Sequence, residues 1–224
     1  MPIPLEPDPG QRDRLLSLVS GYLDGFDAAA HRGRVEQPPP GPAENERLLA
    51  PPPEEGMDPE AILELVDLAN SSGVIHRSGA DMAYIPNAGL YSGALAALLA
   101  SGLNRYTGVH GAAPGMVALE QSVLDWMVGL FGLPEETSAG LLLSGGSMAN
   151  LTAIATARTV RLGNDFTRAR FYVSPHAHHS VVKAARIAGL APDQIRLVPV
   201  DEHLRMSAEA LDALVGEDRA AGLE

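Results

Sequence analysis

The chain has no cysteine and only one lysine, and each shortage excludes some chemistry. Without cysteine there is no disulfide framework, thiolate zinc site, iron–sulfur cluster or thiol nucleophile. With Lys183 as the sole lysine, a reaction that needs a side-chain amine from this chain has one place to find it. Positive charge is short too: 16 Lys and Arg stand against 28 Asp and Glu, a net charge of −12. A nucleic-acid surface, which needs clustered cations, is therefore not expected. No apolar run reaches the roughly 18 residues of a membrane span. The opening MPIPLEPDPGQRDR has no basic flank leading into an apolar stretch, as a secretory signal would. The expectation is a cytoplasmic protein with no membrane contact. Aromatic residues are few, four Phe, one Trp and five Tyr, so they do not reveal which side chain a substrate would carry.

The chain does have enough length and apolar content, 224 residues and 46% hydrophobic, for one globular domain or one plus an appendage. Leu15, Leu18, Val19, Tyr22, Leu23 and Phe26 recur at helical spacing and predict an amphipathic helix over 11–27. QPPPGPAENERLLAPPP, residues 37–53, reads as an extended proline-rich connector. In MDPEAILELVDLA, Asp58 and Pro59 open a second helix with Ile62, Leu65, Val66 and Ala69 as its buried stripe. Residues 88–103, small and apolar, read as a buried helix, and Leu119, Val123, Trp126, Met127 and Leu130 mark another that ends near Gly132 and Pro134. Short apolar runs then alternate with helices. LLLS at 141, FYVS at 171 and IRLVPV at 195 are each followed by a helix, from about Ser147, His179 and Ser207. This rhythm predicts an α/β fold with parallel strands and crossover helices. The last residues, EDRAAGLE, read as the tail of a crossover helix with no strand behind it, so further polypeptide is expected to complete the sheet.

Two loops carry the chemical signal. In GLLLSGGSMANLTAIATAR, residues 140–158, Gly145 and Gly146 let the backbone approach a ligand where Ser147 and Met148 open a helix. Backbone N–H groups, the helix dipole and the Ser147 hydroxyl together suit a phosphate. A glycine turn capped by Ser147 explains the same letters with no ligand. GGSMA also fits the elbow that presents a nucleophilic serine, for which His178, His179 or His203 with Asp193, Asp201 or Glu202 would have to complete a hydrolase triad. In SPHAHHSVVKAARIAGL, residues 174–190, the histidines follow a strand at the same sheet edge. Their spacing on a strand-to-helix turn does not converge on one ion and no carboxylate stands among them, so no metal site is expected.

Together these loops resemble those of the pyridoxal-phosphate-dependent group II amino-acid decarboxylases, the aromatic-L-amino-acid decarboxylase family. The likeness extends to LNRYTGVHGAAPGMVALEQSVLDWMVGLFGLP at 103–134, AYIPNAGLYSGAL at 83–95 and VPVDEHLRMSAEALDALVGEDRAAGL at 198–223, in the family's order. It implies a fold-type I, aspartate aminotransferase-like α/β architecture with pyridoxal 5'-phosphate as cofactor. It places Gly146, Ser147 and Met148 at the cofactor phosphate and His178 as the catalytic ring-stacking histidine. Asn87 falls beside the phosphate where the family often has threonine, and Tyr84 and Pro86 fall in the substrate pocket. Arg77 stands where the family commonly has the proline of a His-Pro pair after the position of His76.

By the same resemblance, residues 1–57 form a dimer-embracing arm and residues 58–224 the first part of the cofactor-binding domain. The family's Schiff-base lysine, and the aspartate facing the pyridine nitrogen, come from sequence after residue 224, and Lys183 matches a helical position that does not bond the cofactor. The expectation is the amino-terminal half of an L-amino-acid decarboxylase, forming amine and CO2 and completed by a second chain in a homo- or hetero-oligomer built on a dimer. The alternatives are an inactive cofactor-binding or scaffold subunit, or a serine hydrolase using Ser147.

Overall fold

The computed structural model describes residues 6–82 and 89–223, and the chain divides into two compact units, Met1–Arg105 and Tyr106–Glu224. Tyr84, Pro86 and Asn87 lie outside the described residues.

In the first unit, α1 runs Pro9–Ala30, longer at both ends than the apolar periodicity predicts. Its start is fixed by a reciprocal capping box. The Asp8 carboxylate accepts the Gln11 N–H at 2.8 Å, and the Gln11 side chain accepts the Asp8 N–H at 2.9 Å. After α1, β1 (Glu36–Gln37) pairs antiparallel with β2 (Gly73–Val74). Between them lie α2 (Pro42–Leu48) and α3 (Pro59–Asn70).

The presence of α2 corrects the expectation of an extended connector over 37–53. Pro42 sits at the first helical position, where a missing N–H costs nothing, and the Glu44 carboxylate accepts the Gly41 N–H at 2.6 Å. The proline-poor AENERL core of the stretch then propagates as helix.

The stripe predicted to be buried on α3 is not buried: Ile62, Val66 and Ala69 are exposed and Leu65 is half-buried. The turn after β2 forms without the family's proline. The Ser78 and Asp81 N–H groups donate to the Ile75 and Ser78 carbonyls, each at 3.0 Å, and His76 bonds the Asp81 carboxylate at 2.9 Å. Arg77 leaves this turn to pair with Asp27 on α1 and to donate to the Gly89 carbonyl at 2.7 Å. The helix expected over 88–103 forms as α4 (Tyr91–Leu103), ended by Asn104 in the left-handed conformation with φ +41°. None of its residues is buried, against the expectation from its small apolar composition.

The second unit holds α5 (Pro114–Leu130), α6 (Gly146–Leu162), β3 (Phe171–Val173), α7 (His179–Ile187), β4 (Ile195–Leu197) and α8 (Ala208–Ala220). Gly132, at φ +64°, closes α5 where the Gly-Pro signal places its end. β3 and β4 are parallel, with Phe171, Tyr172 and Val173 opposite Ile195, Arg196 and Leu197, and α7 is the crossover between them.

The core gathers Ala169, Ala185 and Leu190, with Ile154, Leu162, Phe166, Phe171 and Ile195 against it. Gln194, buried, secures the approach to β4 by donating its amide to the Phe166 carbonyl at 2.6 Å and the Ala169 carbonyl at 3.1 Å. On α8, buried Asp218 accepts from Tyr172 at 2.7 Å and Arg196 at 2.8 Å, tying that helix to both strands.

The strand predicted at Leu141–Leu143 does not form. No described segment pairs with it, and its three leucines are 70%, 55% and 41% exposed. A strand is a property of a pair of segments, since its N–H and C=O groups are satisfied only by a neighbour.

Candidate functional site

The start of α6 is the most chemically loaded point of the second unit. Gly145 takes φ +153° and ψ 172°, a conformation that side chains rarely adopt, and turns the chain into Gly146, the first helical residue. The first turn is tight: the N–H groups of Met148 and Ala149 both donate to the Gly145 carbonyl at 3.0 Å. The amide of Met148 is thus spent within the turn. The amides of Gly146 and Ser147 have no partner among the described residues and stand at the positive end of a 17-residue helix.

These amides open on a hollow of about 430 Å³ whose lining includes Ser144, Gly145, Gly146, Ser147, Met148, Ser180 and Lys183. The hydroxyls of Ser144 and Ser147, two uncommitted amides and the Lys183 ammonium form a donor set suited to a phosphate dianion. No Cβ contact occurs within 4 Å at either Gly145 or Gly146, so the approach to the helix start is open. The residues present therefore fit a phosphate-bearing cofactor.

The second loop reaches the same hollow through Ser180. His178 is the N-cap of α7, and its Nδ1 accepts the Ser180 N–H at 3.3 Å and lies 2.7 Å from the Ser180 hydroxyl. That hydroxyl, on a residue 2% exposed, also accepts from the Asn150 side-chain amide of α6 at 2.8 Å. The β3–α7 turn thus brings His178 within one hydrogen bond of a residue lining the hollow. The imidazole itself is exposed and packs beside His179, ring centroids 4.1 Å apart and planes tilted by 40°.

Of the sequence-predicted residues, Gly146, Ser147 and Met148 line the hollow and His178 is tied to its wall. Asn87, Tyr84 and Pro86 are not described. Reading the sequence missed Ser144, Asn150 and Ser180, and it singled out Lys183 without placing it at the phosphate hollow. The H-x-S spacing of 178–180 signals Ser180, since a side chain two positions before a helical N–H is placed to cap it. Nothing in the letters pairs Asn150 with Ser180, thirty residues apart.

A hydrolase triad is not assembled. Among the described residues no histidine bonds the Ser147 hydroxyl, and Asp201 is engaged by the Arg205 side chain at 2.9 Å and the His203 backbone at 2.9 Å. The Arg205 backbone N–H, which also donates to Asp201 at 2.9 Å, leads these contacts in holding the Asp201 carboxyl below its ordinary range.

The sequence and the fold are similar to those of known proteins. Residues 46–224 match the pyridoxal-dependent decarboxylase conserved domain. The chain is 36% identical over 171 residues to an aromatic-L-amino-acid decarboxylase of Bacillus atrophaeus, covering 76% of this chain and 35% of that one. The crystal structure of Oryza sativa TDC with PLP and tryptamine superposes with a TM-score of 0.87 at 22% identity, over 100% of this chain and 48% of that one. Rhodiola rosea 4-hydroxyphenylacetaldehyde synthase superposes with a TM-score of 0.84 at 25% identity, over 96% of this chain and 49% of that one. The chain spans between about a third and half the length of these relatives. The fold is that of the fold-type I PLP-dependent enzymes. From the glycine turn at the head of α6 to the family match over four-fifths of its length, the chain belongs to the pyridoxal-dependent decarboxylase family.

Proposed function

We propose that this chain is the amino-terminal half of a PLP-dependent L-amino-acid decarboxylase, releasing CO2 and leaving an amine, and that a second chain supplies the covalent lysine. The observation that carries this reading is the convergence of the Gly145–Ser147 turn, Ser180 and Lys183 on one hollow, with His178 bonded to its wall.

Gly146 and Ser147 hold the phosphate through their amides and the Ser147 hydroxyl, with Met148 closing the side of the cup. His178 lies flat against the pyridine ring and keeps its remaining nitrogen for the substrate carboxylate. Asn87 assists at the phosphate, and Tyr84 and Pro86 line the substrate pocket. When bound, pyridoxal phosphate supplies the electron-accepting ring that takes up the pair left as the carboxylate departs. The protein's share is to orient that carboxylate and exclude water.

Lys183 serves as a charge for the phosphate. It sits on α7 with Ser180 and lines the same hollow, in keeping with the family's use of a different lysine. Exposed Leu141–Leu143 and the exposed apolar residues of α4 support completion by further polypeptide. Leu16 and Val19, exposed on α1, support the reading of residues 1–57 as an arm that embraces a second subunit in the cytoplasmic enzyme.

The test is to co-express this chain with a polypeptide carrying the family's lysine segment, add PLP, and screen L-amino acids for released CO2 and amine. The expected result is turnover by the pair and none by the 224 residues alone. A pair that binds PLP but turns over no amino acid would make this chain a scaffold subunit. Aldehyde instead of amine would place it with the synthases.

A further inference from the structure

The hydrogen bonds around His178 run in one direction, and that direction has a chemical consequence. The Ser180 N–H can only donate, so His178 Nδ1, 3.3 Å away, must be an acceptor. The Ser180 hydroxyl, 2.7 Å from the same nitrogen, then gives it its one proton. Having spent that proton, Ser180 Oγ has only lone pairs to offer, and the Asn150 amide fills one at 2.8 Å. Every donor in the chain from α6 to α7 points toward Nδ1. Ser180 is 2% exposed, so water does not readily replace either partner.

We propose that Asn150 and Ser180 are positioning residues that fix His178 in the neutral tautomer carrying its proton on Nε2. The free edge of the ring is then a hydrogen-bond donor only. A histidine held this way offers Nε2–H to an anionic oxygen and cannot accept a proton there. This assignment rests on the reading of His178 as the ring clamp and adds its polarity: it recognises the substrate carboxylate and does not act as a base through Nε2. The relay also joins the helix carrying the phosphate cup to the turn carrying the clamp, so one hydrogen-bond chain sets the position of both.

The experiment is nitrogen-15 NMR of the histidine side chains in the 224-residue chain, at a pH well above the ordinary imidazole value of about 6.5. His178 is assigned by its loss in His178→Gln, and exposed His176 in the same spectra serves as the reference. The expected result is a non-protonated, hydrogen-bonded Nδ1 and a protonated Nε2. Ser180→Ala and Asn150→Leu should each shift the tautomer ratio several-fold, roughly fivefold for one hydrogen bond, toward the ratio at His176, and Ser180→Thr should restore it. Far-UV circular dichroism identifies variants that have lost the fold, and the unsubstituted chain alone is decisive on the tautomer. A proton found on Nδ1, or a ratio unmoved in folded Ser180→Ala, overturns the proposal. PLP titration of the chain assembled with the lysine-bearing polypeptide separates the two ideas: no binding there with the tautomer intact defeats the cofactor reading and leaves the relay standing, whereas binding with Nδ1 protonated does the reverse.

Discussion

Gly146 is a sharper probe of the cup than Gly145. A Cβ at Gly145 would be strained by the φ of +153° whatever the surrounding space, at about 1–3 kcal/mol, so loss of ligand there mixes with loss of fold. At Gly146 a Cβ meets nothing within 4 Å, and the residue carries no positive φ. Gly146→Ala is expected to leave stability within about 0.5 kcal/mol and to weaken PLP at least tenfold, by standing between the ligand and two free amides. Thermal unfolding and a PLP titration of the same sample check both halves. Lys183→Gln tests the charge. It should weaken phosphate binding a few-fold and flatten its salt dependence, since an exposed ammonium acts through a screened field.

These residues show how much of the site was legible from sequence. The glycine pair, Ser147 and His178 stand in local patterns of strand, turn and helix start. Asn150, Ser180 and Lys183 enter by tertiary packing of α6 on α7, which no local pattern encodes. Met148 was placed among the phosphate donors because a helix start leaves its first amides open, but the tight first turn draws its N–H back to Gly145.

Among the elements, those with strong end signals formed where the letters placed them: α5 with its Gly-Pro stop, α7 after its histidine cap, and α8 after Ser207, whose hydroxyl accepts the Ala210 N–H at 3.1 Å. Proline density misled at α2, because three prolines on either side of a segment say nothing against a helix between them. Burial was the least legible feature, since the apolar faces of α3 and α4 are only partly covered within their own unit and neither helix has a buried residue.

The tie between α8 and the strands gives a pH test. Burial, with the Asp218 hydrogen bond adding to it, raises the Tyr172 phenol above its ordinary value of about 10. A group with a raised folded-state pKa contributes stability that is full below its unfolded value and lost as pH rises through the folded one. The melting temperature should therefore fall above about pH 10, and Tyr172→Phe should melt lower at neutral pH with a shallower alkaline decline. An equally steep decline in the variant would assign the effect to other groups.

For the whole molecule, the governing fact is the apolar surface. A run of three leucines at 41–70% exposure, immediately before the phosphate turn, has strand composition and no partner among the described residues. Hydrophobic segments of this kind pair with whatever edge is available. Leu142→Thr, which keeps β-propensity while reducing apolar area, should lessen self-association of the isolated chain, measured by sedimentation, without moving its melting temperature by more than a few degrees.

The proposed function requires one arrangement, the phosphate in the cup at the head of α6 and the His178 ring over the heterocycle. The most direct measurement is a crystal structure of the chain assembled with the lysine-bearing polypeptide and PLP. The account predicts phosphate oxygens about 3 Å from the Gly146 and Ser147 nitrogens and the imidazole face parallel to the pyridine. A phosphate bound elsewhere, or an imidazole turned away from the ring, would contradict it.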